Sequence, residues 1–236
     1  MASKFLRRSG VAVGLVAEVL KWRADLVVQV GVGLHHEEVD VLKAEWPGVR
    51  FLGFEAVPSI CEDIKRTYPG SLYNYAITDK AGEQAAVYIR TNHKDGSSLF
   101  PQGQATNSRV VVTQTLDQAV CPALLPPRHR ILLWLDCVGS GAAALDGGAA
   151  FLKAVEMINV EMTAKPDGER CRPGDVHRRL LEEGFFRQWI HTQRISAGQV
   201  DAVYVRPHLF RPEFCCCPCE CERFAGHVTE AVDDSV

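Results

Sequence analysis

The stretch LVVQVGVGLHH, residues Leu26 to His36, decides how this chain is read. Leu26, Val27, Val28 and Val30 form a short apolar, largely β-branched run interrupted only by Gln29, the pattern of a buried strand. Gly31 and Gly33 then supply backbone freedom where a strand turns sharply toward a helix. A turn of this kind presents free N–H groups and lets a ligand approach the main chain, as in the first element of a nucleotide-cofactor fold. The glycine spacing alone fits a plain strand-to-helix turn equally well, because the third glycine of the dinucleotide fingerprint is absent.

The downstream pattern extends this opening into a βαβ unit. His36 to Glu45 has helical spacing and stops before Pro47-Gly48, and Arg50 to Phe54 reads as a second strand closing on Glu55. Two strands joined by a helix pair in parallel. Pro58 opens another helix, Pro69-Gly70 stops it, and Leu72 to Ile77 is a third strand with Asp79 just behind it. Ala85 to Arg90 is expected to pair back as a hairpin or edge strand, and Asn92 to Ser108 to form a polar loop suited to a lid. Val110 to Thr113 reads as a brief strand.

Ile131 to Leu135 is the most apolar strand and ends on Asp136; a Gly/Ala-rich helix follows, then a strand from Val155 to Val160 with Glu161 at its end. Phe185 to His191 and Val200 to Val205 close the pattern as a terminal antiparallel pair on an otherwise parallel sheet. The expected fold class is α/β. Residues 1–25 are a helix and lead-in, 26–206 the α/β domain, and 207–236 a Cys-rich, loosely held tail.

The chain has 236 residues, 47% hydrophobic and 23% charged, with a net charge of −3, which suits one globular domain with its own core. That balance gives no general drive toward nucleic acid. No apolar run reaches the roughly 18 residues of a membrane span. Lys4, Arg7 and Arg8 faintly resemble a targeting peptide, but Glu18, Lys21 and Arg23 interrupt its apolar stretch, so a cytoplasmic location is the expectation. Four of the nine cysteines are scattered, whereas Cys215, Cys216, Cys217, Cys219 and Cys221 crowd one segment. That segment is open to three readings: a soft-metal site, an acylation site, or an end with no dedicated role.

Glu55, Asp136 and Glu161 each fall just past a predicted strand, and Asp79 lies close behind another; ligands of open parallel sheets bind at that edge. Glu55 follows Gly33 by 22 residues, close to the roughly 20 expected of a carboxylate that accepts ribose hydroxyls. Asp136, after five apolar residues, is expected to be partly desolvated, or else to cap the following helix. His35 and His36 beside Glu37 and Glu38 do not make a metal site, since adjacent helical residues point apart.

Taken in order, VVQVGVGLHHEEV, FLGFEAVP, LYNYAITDKAG, GSSL, VVTQTLD, LLWLDCVGSGAAALDGGAAFL and INVEMT resemble the FkbM family of S-adenosylmethionine-dependent methyltransferases, from about Val27 to Val205. The resemblance implies a class I methyltransferase, Rossmann-like fold with a seven-stranded sheet. It also implies O-methylation of a hydroxyl on a small molecule, sugar or lipid, with S-adenosyl-L-methionine as cofactor.

By position, Gly31 and Gly33 would border the methionine part of the cofactor and Glu55 would hold the ribose. Ala76 and Ile77, with Asp79 nearby, would contact the adenine, and Ser98 would lie on a loop closing over the pocket. Gln29 stands where the family usually has an acid, and it still accepts hydrogen bonds. Asp136 would begin the motif beside the transferred methyl and is the first candidate for general base, with Glu161 and His35 behind it. The family's Glu-Gly-x-Glu after this aspartate reads Val138, Gly139, Ser140, Gly141 here, without either glutamate. The alternative is therefore a catalytically silent cofactor-binding or interaction protein of the same fold.

Overall fold

The computed structural model describes residue 13 and residues 17–34, 36–90, 97–100, 105–121, 125, 129–137, 139–163, 173–194 and 199–214. The segment Cys215 to Cys221, the residues Lys4, Arg7 and Arg8, His35, Val138 and much of the expected polar loop lie outside them.

Strand β1 (Leu26–Val30) is followed by helix α1 (Glu37–Glu45), β2 (Arg50–Phe54), α2 (Pro58–Ile64), β3 (Ser71–Tyr73), β4 (Ala76–Ile77), β5 (Gln84–Arg90) and β6 (Ala105–Gln114). The second half holds α3 (Leu116–Val120), β7 (Ile131–Leu135), α4 (Gly141–Asp146), α5 (Ala149–Leu152), β8 (Val155–Thr163), α6 (Pro173–Glu182), β9 (Phe186–Arg194) and β10 (Gln199–Val205). Seven strands form one sheet in the order β3-β2-β1-β7-β8-β10-β9, and β4-β6-β5 form a second, three-stranded sheet. In the large sheet β10 runs antiparallel to both β8 and β9, and the other pairings are parallel.

Every residue of β1 and β7 is buried, because both faces of the large sheet are covered. Alternate residues divide between two cores: Val27, Trp134, Met157 and Val203 on one face, and Val28, Leu133, Ile158 and Ala202 on the other. The lead-in joins the first core through Val13, Ala17, Leu20 and Trp22, and the Trp22 indole donates to Glu156 Oε2 at 2.7 Å. Among the described residues no helix is long and apolar enough to cross a membrane.

The structure departs from the expected elements at three places. The third strand is split between the two sheets. At the break, Asn74 Nδ2 donates to the carbonyls of Glu55 and Ala56 at 2.7 and 3.1 Å, putting a side chain where ladder bonds would continue. Strand β5 pairs antiparallel with β6, and β6 begins at Ala105 rather than near Val110. Asn107 to Arg109 within it are polar and exposed, so main-chain pairing rather than burial makes this part a strand. Strand β8 runs on to Thr163, which places Glu161 inside the ladder opposite Asp201 rather than at a strand end. Beyond β10, Pro207–Leu209 and Pro212–Phe214 form short 3-10 turns, and Gln188 and Arg211 exchange hydrogen bonds of 2.9 and 2.8 Å.

Arg206 ties the second half together. Its guanidinium donates to the carbonyls of Val155 (2.9 Å), Glu183 (2.6 Å) and Leu152, and lies 3.9 Å over the Phe185 ring. Partial burial lowers its pKa, an effect opposed by Glu183 and Glu156. Arg206→Met is expected to lower the unfolding free energy in urea by about 3 kcal/mol, because three carbonyls lose their donor.

At the amino end of β1, Asp25 accepts from the Arg130 backbone N–H, Nε and Nη2 at 3.0, 3.2 and 2.8 Å. The Arg130 side chain first, then its backbone N–H, hold the Asp25 carboxyl down at about 2. A depressed carboxylate adds stability above its ordinary pKa, and that stability is lost as pH falls through about 2. Both side chains are more than a third exposed, so screening keeps the effect under about 1 kcal/mol. Asp25→Asn is expected to flatten the acid limb of the stability-versus-pH curve, read by urea midpoints between pH 5 and pH 2.

Candidate active site at the carboxyl edge of the sheet

Strand order reverses at β1, which has β2 on one side and β7 on the other. The loops after these strands enclose an open pocket with about 730 Å³ of empty space, part of it continuous with solvent. A pocket at such a reversal is where open α/β sheets bind ligands.

The first wall is the glycine turn. Gly31 and Gly33 have φ of +79° and +69°, the left-handed region in which glycine is unstrained. Gly31 N donates to Phe54 O and Asp136 N to Val30 O, both at 2.9 Å, so the loops continue the ladder for one residue beyond the strands. A Cβ on Gly31 would stand 2.1 Å from the Asp136 carbonyl oxygen. The close approach required at Gly31 is thus between two loops of the protein itself.

Glu55 is buried at the end of β2. Its Oε2 accepts from Gly33 N at 2.9 Å and its Oε1 from Val57 N at 2.8 Å. The carboxylate therefore braces the glycine turn and the entry to α2 together.

Gly31, Gly33 and Glu55 line the pocket with Asp136, and Ala76, Ile77 and Ser98 complete the set of expected site residues found there. Ser98 is held by a two-way bridge to β5, Tyr88 N to Ser98 O at 2.7 Å and Ser98 N to Tyr88 O at 3.1 Å, and its Oγ accepts from Phe100 N. Gln29 lies beneath the turn rather than in the lining: it is buried, and Tyr68 Oη donates to its Oε1 at 3.4 Å. Burial pushes the Tyr68 phenol pKa up, so the phenol remains a donor at neutral pH. The ring crosses Gly53, where a Cβ would meet it at 2.7 Å. Asp79 is exposed, Glu161 within β8 is half-buried, and neither lines the pocket.

Tyr75, Cys137 and Ser140 are among the lining residues that sequence reasoning missed. Tyr75 stacks on Tyr73, which stacks on Phe54, with centroids 6.3 and 6.1 Å apart; the signal was the pair of tyrosines two positions apart at the end of β3. Among the described lining residues there are two carboxylates, Glu55 and Asp136, and no Lys, Arg or His. Such a lining favours a cationic ligand. Among the described residues no group of His, Cys, Asp and Glu is placed to hold a metal ion.

The seven-stranded order with β10 inserted antiparallel before β9 is that of a class I methyltransferase, Rossmann-like α/β fold. No protein-family model matches the chain, and no curated protein matches it. Among solved structures it is similar to magnesium protoporphyrin IX methyltransferase from Synechocystis PCC 6803 with bound SAM, at 11% identity and a TM-score of 0.42 over 82% of this chain and 78% of that one. It is also similar to 1,6-didemethyltoxoflavin-N1-methyltransferase from Burkholderia thailandensis, at 9% identity and a TM-score of 0.45 over 87% and 79% of the two chains. A third is precorrin-6y C5,15-methyltransferase from Geobacter metallireducens GS-15, at 12% identity and a TM-score of 0.43 over 87% and 92%.

Proposed function

We propose that this chain binds S-adenosyl-L-methionine in the pocket at the β1 turn and transfers its methyl group to a hydroxyl of a small molecule, sugar or lipid. The observation that carries the proposal is the lining itself: Glu55 braced against the glycine turn, Asp136 across the strand reversal, and no cationic side chain among the described lining residues. That arrangement suits a ligand with ribose hydroxyls and positive charge. The FkbM resemblance supports the same reading.

Strand order gives the ligand a direction. Residues after β3, β2, β1 and β7 line the pocket, and strands are spaced about 4.8 Å apart, so its floor runs for roughly 14 Å. With the ribose at Glu55, the base lies toward Tyr75, Ala76 and Ile77, and the opposite end toward Gly31 and Asp136. When bound, the cofactor supplies an electrophilic methyl group on a sulfonium. The residues around it align the acceptor and exclude water, and the Asp136 carboxylate takes the hydroxyl proton, a contribution of about 10² to 10⁴-fold. His35 is the reserve candidate for that proton, since Glu161 stands within β8 outside the pocket lining. Gln29 keeps a supporting place under the turn through Tyr68, and Asp79 one outside the pocket.

Titration calorimetry of the purified chain with S-adenosylmethionine tests the proposal: saturable heat is expected, and its absence at millimolar cofactor overturns the reading. The absent glutamates at Val138 and Gly141 favour a second reading, cofactor binding without turnover. Restoring both as glutamate separates the two, since gain of transfer to hydroxylated acceptors only in the repaired chain identifies the natural one as silent.

A further inference from the structure

Carboxylates stand on three neighbouring strands at the carboxyl edge of the large sheet. Asp136 follows Leu135, whose parallel partner is Val160, so it stands beside Glu161; Glu161 lies directly opposite Asp201 in the antiparallel pair of β8 and β10. Glu161 is half-buried just beyond the pocket lining, and Asp201 is fully buried. Like charges directly opposite one another destabilise a sheet, and a cation placed against the pair relieves that strain.

An independent feature lies on the same strand. Asn159, two residues before Glu161 and so on the same face of β8, is 1% exposed, and neither its Oδ1 nor its Nδ2 has a hydrogen-bond partner. Its ladder neighbours are Trp134 and Val203, and it sits directly inward of the two carboxylates. A buried amide left in this way destabilises the fold, which a ligand-binding role accounts for.

We infer that Glu161 and Asn159, with Asp201 behind them, form a site for a primary ammonium group, and that the methyl acceptor is therefore an amino alcohol. The inference rests on the function proposed above, in which Asp136 takes the proton of the acceptor hydroxyl. An ammonium group has three N–H donors and no acceptor, which matches two carboxylates and the Asn159 Oδ1. A metal ion fits less well, since among the described residues no group of His, Cys, Asp and Glu is placed to hold one. Adjacent strands are about 4.8 Å apart, so a hydroxyl at Asp136 and an ammonium at Glu161 are separated by roughly 5 Å, the reach of a three-carbon spacer. The neighbouring pocket, with carboxylates and no cationic side chain among its described lining residues, gives the approach to this site the same sign.

Calorimetry first measures S-adenosylhomocysteine binding; the loaded chain is then titrated with 3-aminopropan-1-ol and with propane-1,3-diol, which differ only in the ammonium group. The amine is expected to bind at least tenfold more tightly, and Glu161→Gln to bring the two within about twofold. Asn159→Leu is expected to weaken the amine about fivefold or more, leave the diol unchanged, and melt no lower than the unaltered chain, because it removes an orphaned amide. An amide with only a structural part in the fold would instead change the melting temperature and leave the preference intact. Equal binding of amine and diol, binding of neither, or a preference that survives in either variant overturns the inference and leaves the proposed function standing. No binding of S-adenosylhomocysteine overturns the proposed function and the inference with it.

Discussion

Gly31→Val is expected to abolish cofactor binding and to destabilise the fold by roughly 4 kcal/mol or more. Two costs combine. The left-handed backbone at φ +79° penalises any β-carbon by about 1–2 kcal/mol, and more for a β-branched side chain. The larger cost is steric, because the new Cβ would lie 2.1 Å from Asp136 O and 2.8 Å from its carbonyl carbon, atoms of a main chain held by the Asp136 N–H to Val30 O bond. Relief requires separating the loops after β1 and β7, which are the two sides of the pocket at the strand reversal. Gly82 provides the control: its φ is +77°, yet nothing lies within 4 Å of its missing Cβ. Gly82→Ala should therefore show the conformational cost alone, about 1–2 kcal/mol. Urea unfolding of both variants, with cofactor calorimetry of Gly31→Val, measures the difference; similar losses in the two would refute the steric account.

Gly31 also shows how much of the site was legible in the sequence. The two glycines marked a sharp turn at the correct place, but sequence cannot distinguish a glycine that admits a ligand from one that admits a neighbouring loop. Here the nearest object is Asp136, more than a hundred residues downstream. Glu55 was legible because its spacing from Gly33 follows from the length of one βα unit, and the structure joins the two with a 2.9 Å hydrogen bond. The apolar runs of β1 and β7 were legible for the same reason that they are central, since strands covered on both faces show no alternation.

What escaped was decided by main-chain pairing or by tertiary context. The polar first half of β6 looks like loop until β5 is placed beside it. Asn74 ends β3 by bonding two carbonyls of another loop, which its own neighbours do not announce. Asp136 reads as a cap of the following helix, but Ser140 stands at the N-cap position of α4.

Glu55→Ala carries the second large effect, on binding and stability at once. Its two carboxylate oxygens accept from Gly33 N and Val57 N in a buried setting, so truncation leaves both N–H groups without their acceptor. An orphaned buried donor costs about 1–3 kcal/mol, so losing the acceptor of two puts the expected loss of unfolding free energy at about 2–6 kcal/mol. Cofactor affinity is expected to fall by at least a hundredfold, since the ribose partner disappears and the glycine turn loses its brace. Glu55→Gln separates the two contributions. It keeps one acceptor oxygen but turns an NH₂ toward a backbone donor, so one brace survives and the other becomes donor against donor. The amide variant should recover part of the stability and little of the affinity if the carboxylate acts mainly on the ribose. Stability and affinity recovering in proportion would mean that Glu55 acts only by shaping the turn. Affinity in Glu55→Ala within threefold of the unaltered chain would remove Glu55 from the cofactor site, and with it the observation on which the proposed function stands.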